Sequence, residues 1–250
     1  MPFTFAHPAA VIPLKRRWKD KFCLTGLAFG SMAPDFEYFI QLKPVSLYGH
    51  NIIGFFILNL PLCFLLAFVF HFIIKKPLIL HMPNPIDKWF SIIAHRVWTL
   101  DSIKKVFRFC YSALLGMFTH VVWDSFTHDT GTMVILIPLL ASKLYVLGYL
   151  VPIYKVLQHG SSLFGFFVIV AYFYGYKNIN DNKQAISTKR KIRYIISTFL
   201  ISFILLFGIM LMMATYRTTF NIGVFIVTSI DCIILGLLLA SLLSRQWLSK

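Results

Sequence analysis

The chain has 250 residues, 58% hydrophobic and only 13% charged, with a mean hydropathy of +0.75. Soluble domains carry about 25% charged residues, so this composition excludes an ordinary soluble domain and predicts an all-α, polytopic integral membrane protein. The formal charge of +15 comes from 24 Lys and Arg against 9 Asp and Glu. These basic residues flank apolar runs and form no separate domain, which speaks for loops facing anionic membrane lipids and against a nucleic-acid partner.

The start, "MPFTFAHPAAVIPLKRRWKDK", places its charge after the apolar stretch and contains internal prolines, so no cleavable signal peptide is expected. In "CLTGLAFGSMAPDFEYFIQL" (23–42) the apolar core is short of the roughly 20 residues a helix needs to cross a bilayer. The first strong span is 52–74, with Pro61 as a kink. A basic, proline-punctuated loop leads to a second span at about 106–124. "MVILIPLLASKLYVLGYLVPIY" is apolar but broken by Pro138, Lys143, Gly148 and Pro152, and reads as a re-entrant or interface-lying segment. A further span is expected over about 161–176, with Ser161 or Ser162 as N-cap. A polar linker at 177–193 precedes two hairpinned spans at about 194–214 and 222–243. The sum is about five clear transmembrane helices plus re-entrant or interfacial helices. Their expected order is a membrane-embedded site domain (1–176), a basic cytoplasmic linker (177–193) and a C-terminal helical hairpin (194–250). No internal repeat is visible.

Lys and Arg concentrate in 75–108 and 177–193, and placing both loops and the C-terminus in the cytoplasm fits two crossings between successive basic regions. That topology predicts a multi-pass protein of the cytoplasmic (inner) membrane. It gathers His50, His120, His128 and His159 near the non-cytoplasmic interface, with His7 and Asp35 joining them if 23–42 does not cross. The basic cluster Lys15 to Lys21 falls on the opposite side from the one this rule favours.

"THVVWDSFTHDTG" carries the strongest chemical pattern. Residues four apart lie about 40° apart around a helix, so His120, Asp124 and His128 share one stripe. Ionisable groups in an apolar helix face a partner or a cavity, so the stripe is a metal site or a buried hydrogen-bond network. Asp129 reads as a C-cap or as a group orienting a histidine. His7, Asp35, His50 and His159 sit at element ends, and Glu37 follows Asp35 closely. Imidazole and carboxylate donors without thiolates suit Zn, Mn or Fe(II), with zinc the default for hydrolysis. Cys23, Cys63, Cys110 and Cys232 show no CxxC spacing and read as small apolar residues. His71, His81, His95 and Asp231 read as structural. No P-loop, dinucleotide fingerprint or GxSxG occurs, and Ser125 points about 100° away from Asp124, so serine nucleophile chemistry is not expected.

In order along the chain, "FTFAHPAAVIPL", "GSMAPDFEYF", "GHNIIGFF", "THVVWDSFTHDTG" and "LQHGSS" resemble the bacterial membrane proteins of domain-of-unknown-function family 4184, over about residues 2–176. More distantly the pattern resembles inner-membrane metal-dependent hydrolases and, through them, the zinc-dependent phospholipase C/P1-nuclease group. That resemblance implies an all-helical fold with zinc ions held by His and Asp. It makes His7, Asp35, His50, His120, Asp124, His128 and His159 candidate ligands. The chain shows "GHN" where the hydrolases show "HRGxTHS", one histidine fewer. The expected function is metal-dependent hydrolysis, using Zn or Mn, of a phosphoester in a phospholipid or lipid-linked substrate, with Asp35 or Glu37 as general base. The alternative is a non-enzymatic membrane protein, a metal or proton transporter or a structural protein, in which the same residues form a hydrogen-bond network.

Overall fold

The computed structural model describes residues 3–178, 186–216 and 220–248, with side chains as far as Arg245. Its principal helices are α1 (Pro8–Arg17), α2 (Leu24–Met32), α3 (Ile52–Leu80), α4 (Ile103–Thr127), α5 (Ile153–Tyr174), α6 (Thr188–Thr215) and α7 (Ile222–Leu248). Helices α3 to α7 are each long and apolar enough to cross a membrane. The protein is therefore an all-α, multi-pass membrane protein. Helix α2 is nine residues long and cannot cross.

Three boundaries differ from those expected from the sequence, each for a local reason. Helix α3 runs on past Lys75 and Lys76 to Leu80. Two wide π-helical turns, Phe55–Asn59 and Phe70–Ile74, precede Pro61 and Pro77 and take up the irregularity each proline brings to a helix ladder. Helix α5 begins at Ile153, eight residues before the expected cap. Pro152, in an extended conformation, opens it, whereas the Ser161 and Ser162 hydroxyls donate back to the Gln158 carbonyl inside the helix. Helix α6 starts at Thr188, so the last part of the expected linker is already helical, while 179–185 lie outside the described residues.

The segment expected to be re-entrant is two short helices, Thr132–Leu136 and Pro138–Ala141, followed by an antiparallel hairpin of β1 (Lys143–Val146) and β2 (Tyr149–Pro152). Both turn residues have positive φ, Leu147 at 47° and Gly148 at 88°, the backbone a two-residue hairpin turn with right-handed strand twist requires.

The chain packs as two compact units that interleave along the sequence. The first comprises the N-terminus to Phe36, Ser46–Phe64 and Leu100–Gly175. Its centre is the pairing of α2 with α4, where backbones touch: a Cβ on Gly116 would lie 2.5 Å from the Leu27 carbonyl oxygen, and one on Gly30 would overlap Ala113. The spacing "GLAFG" in α2 opposite Ser112, Ala113 and Gly116 in α4 is the small-residue pattern that lets membrane helices approach this closely. Helix α1 packs on α2 and α5.

The second unit comprises Glu37–Val45, Leu65–Thr99 and the chain from Tyr176 on, built on the α6–α7 pair. Its buried Lys191 donates to Asp87 and to Asn84 Oδ1 at 2.9 Å. His81 stacks on Tyr194, whose hydroxyl meets Ser241 Oγ at 2.9 Å. Burial pushes the His81 imidazole below its ordinary value, with the Lys191 and Arg190 charges acting in the same direction.

Candidate functional site

Each polar residue of the first unit is delivered by a different local device. His7 stands at the start of α1, after a 3-10 turn at Thr4–Ala6, and its side chain makes no cap. Asp35 ends a second 3-10 turn, Ala33–Asp35, shaped by Pro34. His50 immediately precedes Asn51, the N-cap of α3, whose side-chain oxygen accepts from Gly54 N at 2.8 Å. Asn59, in the first π turn, reaches back to the Gly49 carbonyl at 2.7 Å and ties this loop to α3. His120 and Asp124 lie one turn apart near the end of α4.

Together they form a tight cluster. Asp35, His50, His120 and Asp124 each offer one donor atom, all within 4.8 Å of one another. His120 Nε2 lies 3.5 Å from Asp35 Oδ1 and 3.3 Å from Asp124 Oδ2. His50 Nε2 lies 3.6 Å from each of the same two oxygens. His7 is adjacent, stacked on His120 with ring centroids 3.9 Å apart and its Nε2 3.7 Å from Asp124 Oδ1. Burial pushes His7 down to about 3, which favours the neutral imidazole with its nitrogen lone pair.

The outer atoms of the cluster are held. His120 Nδ1 donates to the Ser31 carbonyl at 2.8 Å, which leaves Nε2 turned to the carboxylates. Asp35 Oδ2 accepts from Thr4 Oγ1 at 2.5 Å, leaving Oδ1 turned inward. His50 Nδ1 meets Ser46 Oγ at 3.2 Å. The inner atoms are not satisfied: His7 Nε2, Asp35 Oδ1, His120 Nε2 and Asp124 Oδ1 are buried without a hydrogen-bond partner. Unsatisfied buried polar atoms cost free energy, and here they converge. Zn–N and Zn–O bonds of about 2.0–2.2 Å in a tetrahedral site put donor atoms about 3.3–3.6 Å apart, the spacing of the four His–Asp pairs here. Side chains of His120 and Asp35 are sealed at 0% and 1% exposure, whereas His50 is 30% exposed, so the cluster opens toward solvent at His50.

Other expected site residues fall elsewhere. His159 is exposed on α5; its neighbour Gln158 is the buried residue of that turn. His128 is the C-cap of α4 and its Nδ1 bonds the Asp124 carbonyl at 3.0 Å; that nitrogen is 3.7 Å from Asp124 Oδ2, beside the set of four. Glu37 belongs to the second unit and accepts from Gln41 Nε2 at 2.8 Å. Asp129 is exposed and accepts from its neighbour Thr130 N rather than capping α4 or orienting a histidine. Asp35, expected as ligand or base, has one oxygen held by Thr4 and the other in the cluster. Sequence reasoning passed over Thr4, Ser31 and Ser46, which orient the donors, and the "GLAFG" spacing that brings Ser31 to His120; that last motif was visible in the sequence.

Fold and cluster define a multi-pass helical membrane protein with a buried His/Asp centre at the ends of its spanning helices. The chain belongs to the family described as a domain of unknown function (DUF4184), whose model matches residues 1–242. No curated protein and no solved structure matches it.

Proposed function

We propose that the protein is a membrane-embedded, metal-dependent hydrolase whose substrate is a phosphoester of a phospholipid or lipid-linked molecule. The observation that carries the reading is the convergence of four buried or half-buried donors, two carboxylate and two imidazole, at ligand spacing, with Asp35 Oδ1 and His120 Nε2 buried among them without a hydrogen bond. Asp35, His50, His120 and Asp124 are the residues that would hold the ion, with His7 as an adjacent donor. Such a donor set, without thiolate, suits zinc first and manganese second. A bound divalent cation supplies acidification of water and charge neutralisation on a phosphoryl oxygen.

The chain's own residues do the positioning. Thr4 and the Ser31 carbonyl fix Asp35 and His120 before any ligand arrives, and the opening at His50 gives a substrate its approach. His50 precedes α3 by two residues and Asp124 lies in the last turn of α4, which supports a centre at headgroup level, where lipid phosphates reside. On the Lys/Arg distribution this is the non-cytoplasmic face of the cytoplasmic membrane, with the C-terminus inside.

Metal content by mass spectrometry on detergent-purified protein tests this. The expected result is about one zinc or manganese per chain, absent from a monodisperse His120→Ala/Asp124→Ala variant, followed by phosphoesterase activity lost in that variant. Well-folded wild type that holds no metal after supplementation refutes the reading and leaves a hydrogen-bond network. Bound metal with no hydrolysis of any phospholipid or lipid-linked phosphate favours a transporter.

A further inference from the structure

The segment between α4 and α5 has a feature the cluster does not explain. Its hairpin carries large apolar residues on both faces, with Lys143 at the open end of one. In the β1–β2 register, Tyr145 faces Leu150 on one side, and Leu144 faces Val151 and Val146 faces Tyr149 on the other. Neither face is covered: Tyr145 is 77% exposed, Leu147 94%, Tyr149 75% and Leu150 65%, and Leu144 is exposed too. Just before them Ile135, Leu136 and Leu139 are exposed as well. Between Thr132 and Tyr154 the sequence has a single charged residue, Lys143.

A hairpin in water shows one polar face, and an isolated two-stranded hairpin is marginal there at best. Strands of four residues are also less than half the length a strand needs to cross a bilayer. The connection joins the ends of two helices long enough to span, which holds it at the membrane boundary. The outer strand edges retain unpaired backbone groups, which hydrocarbon would not satisfy but the hydrated headgroup layer does. Exposed Tyr145 and Tyr149 have the amphipathic rings that favour that layer.

We infer that residues 132–152 form a monotopic anchor that lies in the interface of one leaflet, with the Leu147–Gly148 tip and both hairpin faces inserted among lipid headgroups and upper acyl chains. The occupant of this surface is the lipid leaflet. The inference stands whether or not the His/Asp cluster holds a metal. Because the anchor begins four residues after His128, it sets the depth of the leaflet relative to the end of α4 that carries Asp124.

The test uses the full-length chain in lipid nanodiscs, comparing the emission that Leu147→Trp adds to wild type. With phosphatidylcholine brominated high on its acyl chains, the added emission should fall at least about twofold, while aqueous iodide leaves it nearly unchanged. Quenching by iodide and not by bromine would place the hairpin in water and overturn the inference. Shielding from both quenchers would mean that protein, a second copy or another partner, covers it, and also overturns it. Tyr145→Trp reports from the same hairpin and gives the same readings should Leu147→Trp fail to elute as a monodisperse species.

Discussion

Asp35 has its orientation set by a single hydroxyl. With Thr4 on Oδ2, only Oδ1 is left for the cluster, and a Thr4→Val substitution removes that constraint with almost no change of shape. We expect Thr4→Val to weaken zinc affinity by about 10–100-fold, measured by chelator competition, with the elution profile unchanged. His159→Ala should leave affinity unaltered, since that side chain faces out. The contrast between these residues shows what spacing alone conveys. The i, i+4 relation of His120 and Asp124 was legible because both lie inside a helix. His128, one step further along the same stripe, sits at the cap, where the helix's own last carbonyls claim its ring nitrogen. His159 lies in a polar run, "LQHGSS", which gives no indication of which side of α5 is buried.

At the scale of elements, α2 shows how a segment too short to cross still governs the site. Its closeness to α4 lets the Ser31 carbonyl reach His120, and Gly30 permits that closeness. Gly30→Ala would drive a methyl into the Ala113 backbone. We expect it to cost about 1–3 kcal/mol of stability and to lower metal occupancy at a fixed zinc concentration. Gly160→Ala, on α5 with open space around it, should be neutral or stabilising by up to about 1 kcal/mol, both variants being read by thermal unfolding. The five spans were legible from hydropathy, but not their ends: proline-linked π turns lengthen α3, and Pro152 starts α5 early. The hairpin was hidden because its turn is Leu-Gly, which lacks the Asn or Asp that usually announces one.

For the whole molecule, the interleaved units separate stability from site chemistry. The second unit buries the Lys191–Asp87 pair, and removing one partner strands the other charge. Asp87→Ala should cost about 3–5 kcal/mol in thermal or denaturant unfolding, yet leave the metal bound per folded chain unchanged. Membrane class was written in the composition. The interleaving was not, because one continuous apolar run, α3, contributes its first part to one unit and its remainder to the other.

The cluster draws its four donors from three widely separated stretches, and Asp124 is the last to be made. A ribosome releasing this chain from its N-terminus delivers Asp35 and His50 long before the helix that completes their surroundings. Until α4 has entered the bilayer, those groups lack the two donors it carries, and α2 has only α1 to pack on. Translation arrested anywhere short of Asp124 leaves an incomplete donor set, so the centre itself marks chains whose first four principal helices have been synthesised.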